Sequence, residues 1–467
     1  MLERPLPGNG SIPRLLNRVL FPRDQPSVAV RSSALYRIAS QCAGVRQGLS
    51  PALDYVSLPC RTTFNLQLQP PVDRWSPVCN IFLGMAIELP LDGIKVYEFG
   101  CNLAGPYAGW VLAELGAEVI KIERPEGDDA RNWGPPFWNG AATIFHTVNR
   151  NKQSIRLDLK DTRIADELRR RIVDDADVVL QNLRPGVAED LGFSSETLIA
   201  SKPSLIYCNL HAFGAQGPMK RLPGYDTLIQ AFGGIMSVTG DSGGPPVRAG
   251  VSVIDIGAGM WCCIGILTAL YRRNITGMGC VVDASLFETA LGWMSWHAAG
   301  FQASRELPGR RATGARGIVP YQAFDCADGP LIVAASNDRL FAKFARVLGH
   351  PEWLEDPRFN TNPQRVMNQS ALVALIEPLM KREPSAEWQK RLDAAGVPNS
   401  PIQDISEVLV HPQTEALNIL QDAGDTMKLM GLPLSLDGKR PPLRNLAPPL
   451  GADNEKWREA KEAVDAK

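Results

Sequence analysis

The sequence predicts an α/β protein: a parallel sheet built from strand–helix units, followed by a smaller unit of different pattern. Three observations carry this. From residue 94 onward, short apolar runs alternate with helix-patterned stretches. Around residues 321–336 the pattern changes to two apolar runs about Asp328-Gly329, a hairpin signal. The length of 467 residues exceeds one ordinary domain.

Residues 94–99 (IKVYEF) read as a buried strand, 105–115 (GPYAGWVLAEL) as a helix with small residues on one face, and 118–122 (EVIKI) as the next strand. This is one βαβ unit, for which a right-handed crossover is the default. A polar helix at 164–173 and strands at 177–180 and 204–209 continue the sheet, then an apolar helix at 256–271 and a strand at 279–283. After the hairpin, helices are expected at 340–348, 370–380 and 386–395. A Pro-rich segment with Pro433, Pro441, Pro442, Pro448 and Pro449 then leads to a terminal helix at 454–464.

Residues 1–84 differ in composition: nine Arg, no Lys, four acids and ten of the 37 Pro. The prolines leave few windows for a helix, so this stretch is expected to be a disordered extension or to lie upstream of a start at Met85. Its Arg-rich, acid-poor character also suits an organelle transit peptide, although prolines interrupt the amphipathic helix such a signal uses. The expected location is cytoplasmic, or mitochondrial if that signal operates. Beyond it, the expected division is 85–305 as the large domain, 306–425 as the small one and 426–467 as a C-terminal return.

The 49 Lys+Arg against 50 Asp+Glu argue against a nucleic-acid-coating chain, and no apolar run reads as long enough for a membrane span. Neither nucleic acid nor membrane is expected as a partner. Nine cysteines form no CxxC or Cys/His cluster, which suits free thiols and predicts no metal site.

The first strand-to-helix turn, residues 100–109, aims backbone amides at a helix N-terminus, where an anion is favoured. It is not GxGxxG. Glu123 ends the second strand where a dinucleotide fold places its ribose-binding acid, so a nicotinamide oxidoreductase is one reading. Arg124 directly after it suits a phosphate better than a diol. The five histidines are isolated in sequence. Asp255 lies between an apolar stretch, read as a strand, and an apolar helix, where a carboxylate is capping, paired or chemical; patterning leaves the choice open.

Seven ordered segments carry a resemblance: LDGIKVYEFGCNLAGPYAG (91–109), GAEVIKIERPEGDDAR (116–131), NRNKQSIRLDLK (149–160), QNLRPGVAEDLGF (181–193), PGYDTLIQAFGGIMSVTG (223–240), GVSVIDIGAGM (250–260) and VPYQAFDCADG (319–329). Together they resemble the family III CoA-transferases, the group of formyl-CoA transferase and the carnitine and bile-acid CoA-transferases. Residues 1–84 have no counterpart in the resemblance.

The resemblance implies a Rossmann-like large domain, a smaller α+β domain and a homodimer of interlocked rings. It implies transfer of coenzyme A between an acyl-CoA and a small carboxylic, or dicarboxylic, acid, with CoA as substrate and no tightly bound cofactor. The family's nucleophilic aspartate falls on Asp255. Its CoA-binding positions fall on Cys101, Asn102, Leu103, Ala104, Arg124, Leu157, Lys160, Asn182, Leu183 and Tyr225, with Arg124 and Lys160 holding phosphate charge. Formyl-CoA transferase has His, Val and Gln where Cys101, Asn102 and Leu103 stand, so a formate or oxalate specialist is not expected. Its glycine-rich loop is replaced by residues 309–317, where Arg310, Arg311 or Arg316 could engage a dicarboxylate or simply face solvent.

Two rivals remain. A 2-methylacyl-CoA racemase of the same superfamily needs a His where Tyr225 stands, and a phenol is a poor base at neutral pH. A non-catalytic acyl-CoA-binding protein would have an unreactive Asp255.

Overall fold

A computed structural model of the chain describes residues 89–465 other than Thr426, with side chains as far as Glu459. The expectations for residues 1–84 lie outside them. The first βαβ unit is β1 (Lys95–Phe99), α1 (Ala104–Glu114) and β2 (Glu118–Glu123). There follow β3 (Lys152–Arg156), α2 (Thr162–Asp175), β4 (Val178–Gln181) and β5 (Ile206–His211). Helices α3 (Asp226–Phe232) and α4 (Val253–Thr276) precede β6 (Cys280–Ser285), which runs into α5 (Leu286–Trp293) and α6 (Ser295–Ser304).

The six strands form one parallel sheet in the order β3-β2-β1-β4-β5-β6. Because winding reverses between β1 and β4, the connections leaving their C-terminal ends diverge and leave a crevice. The central strands read as continuous apolar runs because both faces are covered. Val96, Val178, Leu180, Ile206 and Cys208 face α1 and α4, whereas Tyr97, Val179 and Tyr207 join a second core with Leu168 and Ile172 of α2.

β3 was not expected as a strand. Its KQSIR sequence lacks apolar alternation, and its inward polar groups are satisfied by partners distant in sequence. Lys152 Nζ lies 2.7 Å from Glu98 Oε2, and Ser154 Oγ donates to Glu123 Oε1 at 2.6 Å. The C-terminal segment seals its outer edge. Asp453 and Asn454 side chains accept the N–H groups of Ser154 and Arg156, both at 2.8 Å. Arg171 stacks on Trp457 at 3.9 Å, and Asn151 donates its backbone N–H to Asn445 O.

α4 begins earlier and ends later than its apolar run suggests. Its close packing on α1 depends on Gly259, where an added Cβ would approach Ala104 O to 2.7 Å. The stretch before it is not a strand. By length and apolar composition α4 could cross a membrane, contrary to the sequence reading; half of it is buried inside the protein. Its other face exposes Met260, Trp261, Ile264, Leu267, Tyr271 and Ile275, continued by Trp293 and Trp296.

The expected hairpin forms as β7 (Tyr321–Asp325) and β8 (Pro330–Ala334), joined antiparallel by β9 (Asn399–Pro401). Helices α7 (Asp338–Val347), α8 (Gln369–Met380) and α9 (Ser385–Ala395) cover this sheet around a separate core of Phe324, Leu331, Phe341, Phe344, Leu372 and Trp388. Asn337 caps α7 by accepting from Leu340 N at 2.9 Å. Among the described residues six cysteines are free, and no His, Cys, Asp or Glu group of three is placed to hold a metal.

Candidate active site

A cavity of about 710 Å³ opens along the C-terminal ends of the sheet strands, within the size range of small-molecule sites. All eleven residues that the resemblance gives as nucleophile and CoA-binding positions border it: Asp255, Cys101, Asn102, Leu103, Ala104, Arg124, Leu157, Lys160, Asn182, Leu183 and Tyr225. Strand order sets their positions. Lys160 follows β3, Arg124 follows β2, the Cys101–Ala104 turn follows β1, and Asn182 and Leu183 follow β4. Tyr225 and Asp255 close the far end beside Leu210 and Leu286.

The turn after β1 is held from two sides. Asn182 Oδ1 accepts from Cys101 N at 2.8 Å, and its amide donates to Cys101 O at 2.9 Å. Asp128 Oδ1 accepts from Asn102 N at 3.0 Å. Asn102 has φ of 67°, a left-handed conformation that Asn adopts more readily than most residues. The Cys101 and Asn102 amides therefore already have partners, and the helix N-terminus beyond them is what remains for a ligand. Burial, with Asp128 next in effect, pushes the Cys101 thiol up to about 11, so it stays protonated at neutral pH.

Behind the turn lies a buried charge network. Lys121 Nζ contacts Asp128 Oδ2 at 2.8 Å and Glu98 Oε1 at 3.2 Å and donates to Gly100 O at 2.6 Å. Glu98 in turn holds Lys152. Glu123 is buried as well; it receives Arg131 on both oxygens, at 2.6 and 2.8 Å, and the Asp128 amide at 3.0 Å. Burial alone would raise its pKa, yet Arg131, Lys121 and Ser154 outweigh that and lower it. Glu123 does not line the cavity, so the acid required by a nicotinamide reading is already committed elsewhere.

The cavity cations differ in how free they are. Arg124 pairs with Asp129 and approaches Glu126 at 3.8 Å. Lys160 and Arg184 are exposed and have no side-chain partner among the described residues. Arg184 escaped the sequence reading, though its place in the QNLRPG segment directly after Leu183 was a usable signal. His211 was also missed; it lines the cavity, and its Nε2 donates to Asp283 Oδ1 across 3.1 Å. Arg310 is held by Asp241 O and Gly244 O, and Arg311 donates to Gln369 Oε1 at 2.8 Å.

Asp255 lies in the first turn of α4, and it does not cap that helix. The N-cap position is Ser252, which makes no side-chain capping bond. Asp226 does the capping from α3: its Oδ1 accepts from Ile254 N at 2.8 Å and Asp255 N at 3.2 Å. Gln230 fixes Asp226 through Oδ2 at 2.5 Å while accepting the Ala249 N–H at 2.8 Å. The Asp255 carboxylate has no hydrogen-bond partner among the described residues. Burial, reinforced by the Asp226 charge, raises its pKa to about 7, overcoming the lowering expected from a helix N-terminus. A half-buried, unpaired carboxylate of raised basicity in a cavity is equipped for nucleophilic or proton-transfer chemistry.

The chain is 38% identical over 354 residues to the acetyl-CoA:oxalate CoA-transferase of Acetobacter aceti, covering 75% of this chain and 90% of that one. It is 36% identical over 325 residues to the succinyl-CoA:glutarate CoA-transferase of Mus musculus, covering 69% and 74%. A solved CAIB/BAIF family protein from Brucella suis superposes with TM-score 0.72 at 37% identity, covering 80% of this chain and 99% of that one. The CoA-transferase family III profile matches residues 91–454, and the chain therefore belongs to CoA-transferase family III.

Proposed function

We propose that this enzyme moves CoA from an acyl-CoA to a small dicarboxylic acid through covalent intermediates on Asp255. The observation that carries the reading is the unpaired Asp255 carboxylate, of raised pKa, at the end of a cavity whose other end bears Lys160 and Arg124. Relatives named for oxalate and glutarate transfer support the substrate class.

Asp255 attacks the thioester carbonyl, the C–S bond breaks, and a mixed anhydride and CoA thiolate form. The thiolate attacks the aspartyl carbonyl, releasing the donor acid and leaving an aspartyl-CoA thioester. The acceptor carboxylate then attacks that thioester, and the thiolate returns to the acceptor's carbonyl, restoring Asp255. Against an ordinary carboxylate of pKa ~4, expelling a thiolate of pKa ~8.5 is uphill by roughly 6 kcal/mol. Raising Asp255 to about 7 narrows that gap to roughly 2 kcal/mol. The rest comes from holding CoA: phosphates on Lys160, Arg184 and Arg124, the pantetheine along Leu157, Leu183 and the Cys101–Ala104 turn.

The reading extends to a Rossmann-like large domain and an interlocked homodimer. The exposed apolar face of α4, from Met260 to Ile275, supports the second, because contiguous apolar surface of this kind marks association.

Asp255→Ala is expected to abolish transfer from succinyl-CoA to a dicarboxylate panel, read by mass spectrometry, while CoA still binds. Hydroxylamine during turnover should label Asp255. An unlabelled Asp255 peptide from a working enzyme, or α-proton exchange with no transfer, would overturn the reading.

A further inference from the structure

We propose that Asp128, together with Lys121, is a positioning residue for acyl transfer: it sets the turn after β1 so that the open Leu103 and Ala104 amides face the acyl group on Asp255. This rests on the CoA-transfer reading and adds residues that act on the reacting atoms through the backbone.

Lys121 is an unusual occupant of a central strand. It stands among Val119, Ile120 and Ile122 on β2, and its side chain is fully buried with those of Glu98 and Asp128. Apolar residues of similar volume commonly serve stability as well as a buried ion pair does, so the pair calls for another reason. Its contacts supply one. Lys121 Nζ donates to Gly100 O at 2.6 Å, Asp128 Oδ1 accepts from Asn102 N at 3.0 Å, and Asn182 engages both Cys101 N and Cys101 O. Four consecutive backbone polar groups, from Gly100 O to Asn102 N, are thus held by side chains. Asn102 keeps its left-handed backbone because Asp128, itself fixed by Lys121 at 2.8 Å, anchors its amide. The next two amides, of Leu103 and Ala104, have no acceptor among the described residues, and Leu103 at the N-cap brings no capping side chain. Both residues border the cavity.

The register of α1 against α4 brings Asp255 to that level. Gly259 packs on Ala104 O, and Cys263 Sγ donates to Ala108 O at 3.3 Å. Four residues along α4 match four along α1, so the two helices run parallel. One turn before Gly259, ~6 Å along the axis and on the same face, stands Asp255. It therefore lies beyond the first residue of α1, on the side toward which N-terminal amides point. When an Asp255 oxygen bonds to the thioester carbon, the carbonyl electron pair moves onto its oxygen. The Leu103 and Ala104 N–H groups donate to that oxyanion until the C–S bond breaks and the thiolate leaves. A turn displaced by about 1 Å loses this alignment while still lying against the pantetheine.

The test uses full-length protein and transfer from succinyl-CoA to the best acceptor of a dicarboxylate panel. Calorimetric titration with CoA gives the affinity and the number of competent sites. Asp128→Ala leaves the Asn102 amide without an acceptor; it is expected to lower kcat per competent site about a hundredfold and to shift the CoA dissociation constant less than about threefold. Asp128→Asn keeps an oxygen for that amide but loses the pull of Lys121, and should fall only about tenfold, with CoA affinity equally unaffected. A purely structural role predicts fewer competent sites with kcat per site unchanged. That result in either variant, or CoA affinity falling in step with kcat, overturns the proposal, and Asp128→Asn decides alone if Asp128→Ala does not fold. Wild-type protein that binds CoA and transfers nothing sinks the transfer reading and this proposal with it, whereas wild-type transfer with unchanged Asp128 variants sinks this proposal alone.

Discussion

Asp226 lies directly behind Asp255, with its Oδ1 accepting the Asp255 backbone N–H at 3.2 Å. The carboxylate that anchors the start of α4 is thus also the negative charge that helps raise the pKa of the candidate nucleophile, after burial itself. Anchoring and activation are coupled in one side chain.

Transfer requires Asp255 ionised, so kcat/KM is expected to rise with pH through a limb near 7. Asp226→Asn keeps an acceptor oxygen for the two amides and removes the charge. It should move that limb to lower pH by about one pH unit. A pH–rate profile decides it; an unmoved limb would mean burial alone sets the basicity of Asp255.

The same ionisation affects stability. Asp255 has a folded-state pKa of about 7, against a model value of 3.8. Between these values the folded chain holds a proton that the unfolded chain has released, so stability falls as pH rises toward 7 and levels off above it. Asp255→Asn should remove this dependence and stabilise the protein at pH 8 by on the order of 2 kcal/mol. Denaturant melts at pH 5 and pH 8 measure it, and an equal difference at both pH values would contradict the assignment.

Gly109 leaves room for the buried network behind the CoA turn. A Cβ there would fall 1.7 Å from Glu98 Oε2 and 3.1 Å from Lys152 Nζ. Gly109→Ala therefore forces Glu98 off one of its lysines and is expected to cost about 3 kcal/mol, despite alanine's better helix propensity. Thermal melting reports the loss; a variant as stable as the parent would show that the network yields easily.

Arg124, Lys160 and Arg184 should contribute unequally to CoA binding. Arg124 is already partly neutralised by Asp129 and Glu126, whereas the other two have no carboxylate partner among the described residues to give up. Lys160→Ala and Arg184→Ala are each expected to raise the CoA dissociation constant about five- to tenfold, and Arg124→Ala less, with kcat nearly unchanged. Equal effects from all three would indicate that Asp129 and Glu126 move aside when CoA binds.

Much of the fold was legible because its central strands are buried on both faces and read as apolar runs, as in IKVYEF and the run ending at Leu180. β3 was not, because Lys152 and Ser154 are buried by pairing with Glu98 and Glu123, and such pairing leaves no local pattern. The segments around the cavity were legible from their order along the chain, which reached Asp255 and the turn after β1. Asp226 and His211 were not, since their partners Ile254, Asp255 and Asp283 are brought alongside by the tertiary fold. The choice that patterning left open for Asp255 shows the same limit: an acid stands at the start of α4 in the sequence, yet the acid that caps the helix arrives from α3.

The seal that Asp453 and Asn454 place on β3 also bears on biosynthesis. Strand β3 leaves the ribosome some 300 residues before the side chains that cover it. Throughout that interval the nascent sheet carries an open row of amides, a template for pairing with another chain. Asp453 and Asn454 therefore close a window of aggregation risk that translation itself creates, and slow elongation over the small unit would lengthen it.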